Sequence, residues 1–346
     1  MTRRRLAATL ATALAVVWWT ATPAAADPPK PTDYRSTVRA LDPEVDGVRA
    51  EVVGGDGFLE LDVEAGHEVV VLGYEDEPYL RFRADGTVEE NRRSPAVFLN
   101  RSRTGGSAAP PSTDAEAEPE WQEVAGGGRW AWHDHRIHWM GAEDPLVDAN
   151  GRVTQFGPDG WSVPLEVDST DVVVRGDLVR TDGVSPLPTV AVAVVVAGVV
   201  ILLGRRRPLA FAGPAVAVGA FVALGLGWAE WSAAPPGGAA SPVLLILPVM
   251  AVAAAAGALL LRSTTGRAIA ALTAAVALGA WLFLRIGVVT HRVLPTSLDP
   301  WIDRLGFGAV AGTAVGAIVL AVRSGALAAP ATTRPPSAEP GATLSP

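Results

Sequence analysis

The chain has 346 residues, 49% of them hydrophobic, a formal net charge of −8 and no cysteine. Without thiols it has no disulfide staple, no thiolate metal site, no cysteine-linked lipid anchor and no cysteine nucleophile. Residues 27–187 hold 15 Lys/Arg against 32 Asp/Glu, a net −17, whereas the remainder holds 13 against 4; the acidic half excludes nucleic acid and an anionic lipid surface as its partners.

Arg3, Arg4 and Arg5 precede an apolar stretch at 6–19 that is short for a membrane span. Ala24, Ala25 and Ala26 place small residues where a signal peptidase requires them, so residues 1–26 read as a signal peptide cleaved before Asp27. The heavy use of Ala, Arg, Gly, Val and Pro points to a high-GC bacterial genome.

From Tyr34 to Thr181 the hydrophobic period is two. Val48, Ala50 and Val52 alternate with Arg49 and Glu51; Leu59, Leu61 and Val63 with Glu60 and Asp62; Leu80 and Phe82 with Arg81 and Arg83; and Val163, Leu165 and Val167 with Ser162, Pro164 and Glu166. Val69 to Leu72 is continuously apolar, as a central strand is. Asp85-Gly86 marks a hairpin turn, and Asp168-Ser169-Thr170 marks a turn before a strand over 172–179. Many short strands separated by turns predict an immunoglobulin-like antiparallel β-sandwich over 27–187. Its one interruption is 102–120, rich in Ser, Gly, Pro, Ala and acidic residues, which reads as a mobile loop.

The densest chemistry lies between Trp130 and Met140, where three of the chain's five histidines fall within six residues. On a strand His133 and His135 share a face, a geometry that suits zinc or copper because neutral imidazole is a good borderline ligand. His138 has the opposite parity and joins them only if the chain bends between Asp134 and Ile137. Met140 adds a thioether that favours copper, and Asp134 is a candidate acceptor to orient an imidazole. The same residues also admit a structural network, with Arg136 stacked on Trp132 or Trp139, or a glycan platform of Trp130, Trp132 and Trp139. No nucleophile elbow or phosphate-binding glycine loop occurs, so a binding protein is expected rather than an enzyme.

Five apolar runs follow, at 188–204, 209–228, 242–261, 268–289 and 305–322. Each approaches the roughly 20 residues that cross a bilayer as a helix. Arg205–Arg207, Arg262, Arg267 and Arg323 fall on one side of these crossings, and Glu230, Asp299 and Asp303, with Arg292 and Arg304, on the other. The positive-inside rule then places the first set in the cytoplasm, the N-terminal domain outside, and 323–346 as a disordered cytoplasmic tail. Trp228, Trp231, Trp281 and Trp301 near the helix ends suggest an aromatic belt. Gly308, Gly312 and Gly316 put a small-residue stripe on the last helix. Arg285 is the single charge well inside a run; it snorkels to the headgroups or pairs with Glu230, Asp299 or Asp303.

The stretch from Gly66 to Arg93 (GHEVVVLGY, then EPYLRFR), together with Trp132 to Met140, resembles exported membrane proteins of high-GC Gram-positive bacteria that carry a signal peptide, a β-sandwich and a helical bundle. That group brings no activity to transfer. In architecture the chain is more loosely similar to the CopC/CopD class, an exported copper-binding sandwich beside a membrane bundle. It departs from that class at Asp27-Pro28-Pro29, which lacks an N-terminal His, and in helices without buried His and Met. The sequence thus predicts a multi-pass protein of the cytoplasmic membrane. Its extracytoplasmic domain binds copper or zinc through His133, His135, His138 and Met140, or docks an envelope protein or a glycan.

Overall fold

A computed structural model describes residues 27–103 and 109–328. The expected signal peptide, residues 104–108 of the 102–120 segment and the chain from 329 onwards lie outside the described residues.

The period-two segments form ten strands: β1 Tyr34–Asp42, β2 Val48–Val53, β3 Phe58–Val63, β4 Val69–Leu72, β5 Pro78–Phe82, β6 Val88–Asn91, β7 Trp121–Ala125, β8 Arg129–Trp132, β9 Trp161–Val167 and β10 Thr170–Arg180. A short helix, α1 (Pro95–Leu99), sits between β6 and β7 and is capped by the Ser94 side chain. One sheet has seven strands in the order β1-β10-β9-β4-β5-β6-β7 and the other has three in the order β2-β3-β8, with every pairing antiparallel. The apolar β4 is flanked on both sides, by β9 and β5, which accounts for its unbroken hydrophobic run. Asp168 and Ser169, both at positive φ (49° and 65°), make the two-residue β9–β10 turn, the conformation that matches strand twist. At the β5–β6 turn Asp85 accepts the Thr87 N–H, and Gly86 takes φ 85°.

A single buried cluster draws Leu59, Leu61 and Val63 from the small sheet and Val69, Val71, Leu80, Phe82, Val163, Leu165, Val172 and Val174 from the large one. Alternation leaves Phe58, Glu60 and Asp62 on the opposite face of β3.

The apolar runs form five helices long and apolar enough to cross a membrane: α2 Leu187–Gly204, α3 Pro208–Ser232, α4 Val243–Leu260, α5 Thr264–Leu284 and α6 Pro300–Arg323. The fourth run is not one helix: α5 ends at Leu284, and Ile286–Val289 forms a 3-10 turn. The glycine stripe of α6 packs on α2. A Cβ at Gly312 would stand 2.6 Å from the Ala193 carbonyl oxygen and one at Gly316 2.7 Å from Val200, so these glycines set the approach of the two backbones. Trp228 and Trp301 are exposed on the bundle, as a belt requires, but Trp281 is wholly buried and donates its indole N–H to the Leu244 carbonyl. Trp281 is therefore part of the packing rather than of the belt.

Candidate functional site

Strand β8 stops at Trp132, and the chain turns there because Asp134 gathers donors around itself. Its carboxylate, with no solvent exposure, accepts the Trp132 indole N–H at 3.0 Å, the Arg136 backbone N–H at 3.0 Å, and Arg136 Nε and Nη2 at 2.8 and 2.7 Å. Ile137 N–H then closes on the Asp134 carbonyl. Burial alone would push the Asp134 carboxyl up, but Arg136 and the indole outweigh it and hold the group below the usual carboxylate range. Arg136 also donates to the carbonyls of Leu72 and Gly73 and lies 4.9 Å over the Tyr74 ring. The stacking partner is thus Tyr74, not Trp132 or Trp139, and Asp134 holds a guanidinium and an indole rather than an imidazole.

Because β8 ends before them, His133 and His135 do not share a strand face. His133 is buried against Phe58, ring centroids 4.1 Å apart, with Nδ1 2.5 Å from the Gly57 carbonyl oxygen and Nε2 3.0 Å from that of Asp27. Burial lowers its pKa, so the ring is neutral and its single N–H serves one of the two carbonyls. The bend between Asp134 and Ile137 does occur, and it brings His138 to His135, ring centroids 5.5 Å apart. His135 Nε2 faces the Ser102 carbonyl at 2.9 Å and His138 Nε2 the Arg103 carbonyl at 2.7 Å. His138 is pushed down to about 3, chiefly by burial and further by the Arg103 charge. Its Nδ1 is buried without a hydrogen-bond partner. Met140 is exposed. Among the described residues no three His, Asp or Glu side chains converge on a point where a metal ion would sit.

The three imidazoles therefore secure chain segments. His135 and His138 hold Ser102 and Arg103 against the domain, His133 lies between the Gly57 and Asp27 carbonyls, and Arg103 in turn donates to the buried Asp56 at 2.5 Å. Of the three tryptophans read as a platform, Trp132 is buried in the core, so they do not present one exposed surface.

A second constellation joins the β domain to the bundle. Asp33, just before β1, accepts from His291 Nδ1 at 2.8 Å and from the Arg292 backbone N–H at 2.7 Å. Thr32 and Val293 exchange two backbone hydrogen bonds, Val184 N–H donates to the Thr290 carbonyl, and Ala131 N–H to that of Pro236. Arg304, buried at the start of α6, donates to the His291 and Arg292 carbonyls and so stiffens the loop that Asp33 holds. Its neighbour Asp303 forms a bidentate pair with Arg285 at 3.0 and 2.9 Å, and Glu230 of α3 takes Arg285 Nε at 2.8 Å. Arg285 therefore pairs with Asp303 and Glu230 and does not snorkel; Asp299 instead caps α6 through the Trp301 N–H. Glu230 and Asp303 are two of the partners that the sequence offers for Arg285. Asp33 and Arg304 are missing from the site read in the sequence, where Arg304 shows only as a basic residue at the end of an apolar run.

Comparison with protein-family models, with curated proteins and with solved structures finds no match. What the chain does is therefore argued from its own residues.

Proposed function

We propose that the chain is a membrane-anchored extracytoplasmic binding protein of the cell envelope whose β domain, an immunoglobulin-like sandwich, docks a protein partner. Arginines at the α2–α3 and α4–α5 turns and at the end of α6 support a topology with that domain outside and the C-terminus in the cytoplasm. The observation that carries the docking reading is the junction. Asp33 through its carboxylate, and Thr32 and Val184 through backbone groups, fasten the domain to one end of the bundle, which fixes its orientation above the lipid and presents its far end to the periplasmic or cell-wall space. A domain held in one pose suits a receptor for another protein, because the orientation cost of binding is already met. The test is in-cell photo-crosslinking, with p-benzoylphenylalanine in place of Val45, Glu123 or Asp171 in turn. A discrete adduct from at least one position is expected, and its absence from all three overturns the reading.

Transition-metal binding is the second reading, and the architectural likeness to CopC/CopD proteins belongs with it. One observation favours it: His138 directs Nε2 to a carbonyl, which leaves the Nδ1 lone pair unpartnered beside His135, the arrangement in which a carbonyl orients a ligating imidazole. Calorimetry of the full chain with Zn(II) and with Cu(II) tests it. Saturable binding lost in His135→Ala and His138→Ala supports it, and the absence of saturable binding ends it.

A further inference from the structure

An open space of about 800 Å³ forms a trough on the face of the small sheet that points away from the core. Its floor is Glu60 and Asp62 of β3 with Arg129 of β8, and its wall runs from β1 through the 44–47 connection into β2. Gly55, in the β2–β3 turn, lies against Val293 of the bundle loop, and the trough lies toward the other end of that hairpin. Leu41 and Val45, both half-buried, give it an apolar side.

Its charges are unbalanced in one direction. All three arginines that line it are already engaged: Arg39 with Asp177, Arg49 with Glu64, and Arg129 with Glu60 at 2.5 Å and Glu51 at 3.9 Å. Glu44, Asp46 and Asp62 have no ion-pair partner among the described residues. Glu60 stands directly opposite Glu51 across β2 and β3, a like-charge pairing that a sheet disfavours unless a cation bridges it. Arg129 reaches both carboxylates, but it meets Glu60 through Oε1 alone. Glu60 is 2% exposed, and its second carboxylate oxygen, Oε2, is buried without a hydrogen-bond donor. A buried acceptor left open in this way is costly, and a donor brought by a ligand would complete it. The space far exceeds a bare ion, and the apolar side beside the acids matches a side chain with a hydrocarbon stem and a cationic head.

We propose that this trough receives a Lys- or Arg-bearing extended segment of a partner protein, the cationic head reaching the Glu60–Glu51 pair and Asp62 while its stem lies along Leu41 and Val45. The proposal rests on the docking reading above and names the chemistry of the partner.

The test uses the full chain in detergent micelles and fluorescence anisotropy. The probe is an end-capped peptide of alternating Val and Lys; its Val–Glu counterpart and spermidine serve as comparators. Saturable binding of the Lys peptide is expected, at least tenfold tighter than the Glu peptide and not displaced by equimolar spermidine. Glu60→Gln with Asp62→Asn weakens it at least tenfold. Because Glu60→Gln disturbs a buried pair, Glu44→Gln with Asp46→Asn on the exposed rim is measured in parallel and weakens it about threefold. Glu166→Gln with Asp171→Asn, exposed on β9 and β10, leaves it unchanged. Equal losses from the trough and the β9–β10 variants would assign binding to bulk negative charge and overturn the proposal, as would equal affinity for the two peptides or full displacement by the small amine. The crosslinking positions separate this proposal from the reading beneath it. An adduct from Val45 that disappears in Glu60→Gln/Asp62→Asn supports both. An adduct from Glu123 or Asp171 alone leaves docking standing and removes the trough. No adduct at any position removes both.

Discussion

Replacing Arg285 by Ala tests the packing logic of the membrane half. In the bundle its guanidinium is 2% exposed, makes two bonds to Asp303, which has no exposure, and a third to Glu230. Arg285→Ala leaves two carboxylates facing each other at the bundle end with that cation gone. Stranding buried charge costs about 3–5 kcal/mol. Asp303→Asn is milder, at about 1.5–3 kcal/mol, because Glu230 still neutralises Arg285 and the amide oxygen still accepts one of its N–H groups. Adding Glu230→Gln and Asp303→Asn to Arg285→Ala removes the stranded charges, so the triple variant recovers at least half of the loss. The measurement is reversible unfolding of the purified full chain in mixed micelles with a rising fraction of dodecyl sulfate, followed by tryptophan fluorescence. If Arg285→Ala costs under about 1 kcal/mol, the value of an exposed ion pair, or if the triple variant is no more stable than the single one, the charges are solvated and the pairing described here does not hold the bundle together.

Three further outcomes follow from the same geometry. Gly312→Val forces a side chain against the Ala193 carbonyl and Val196, and overpacking of about 1–3 kcal/mol should lower the unfolding midpoint while Gly225→Val, which meets nothing, leaves it in place. His138, held down to about 3 mainly by burial, takes up a proton in the unfolded chain near its ordinary 6.5 but not in the folded one. Its contribution to stability is therefore whole above about pH 6.5 and falls as pH drops toward 3, by up to about 1.4 kcal/mol per pH unit; the difference between the parent chain and His138→Gln in denaturant titrations at pH 7, 6 and 5 isolates it, and a constant difference refutes it. Asp33→Ala removes the acceptor shared by His291 and the Arg292 N–H, and faster hydrogen exchange at Thr32, Val184 and Val293, with β4 and β9 unchanged, is the expected signature of a loosened junction.

The β4 run, the Asp168-Ser169 turn and all five helices are legible in the sequence because each expresses a local rule: a burial period, a turn dihedral or a length against bilayer thickness. The histidine segment is legible as an unusual cluster but not in its use. Period-two reasoning gave His133 and His135 a shared strand face, and that face exists only where a strand continues. The Asp134 carboxylate, drawing in Arg136 and the Trp132 indole, ends β8 at Trp132, before either histidine. The destinations of the imidazoles, the carbonyls of Gly57, Asp27, Ser102 and Arg103, are backbone atoms that every residue type carries, so side-chain identity offers no signal for them. The same limit hides Glu60, which reads as a solvent-facing strand residue and lies buried between Glu51 and Arg129.

By itself the sequence determines the division of this protein into an acidic, strand-built half and an apolar, helical one, since both periods and charge balance are written along the chain. Only the tertiary structure decides which groups meet. Asp33 and His291 lie 258 positions apart, Arg285 finds Glu230 across 55 and Asp303 across 18, and His133 reaches Gly57 across 76. Hydrophobic burial is roughly proportional to area and indifferent to partner, so it can be read from pattern alone, whereas a hydrogen bond or ion pair needs two named atoms within about 3 Å, a condition set by the packing of whole elements.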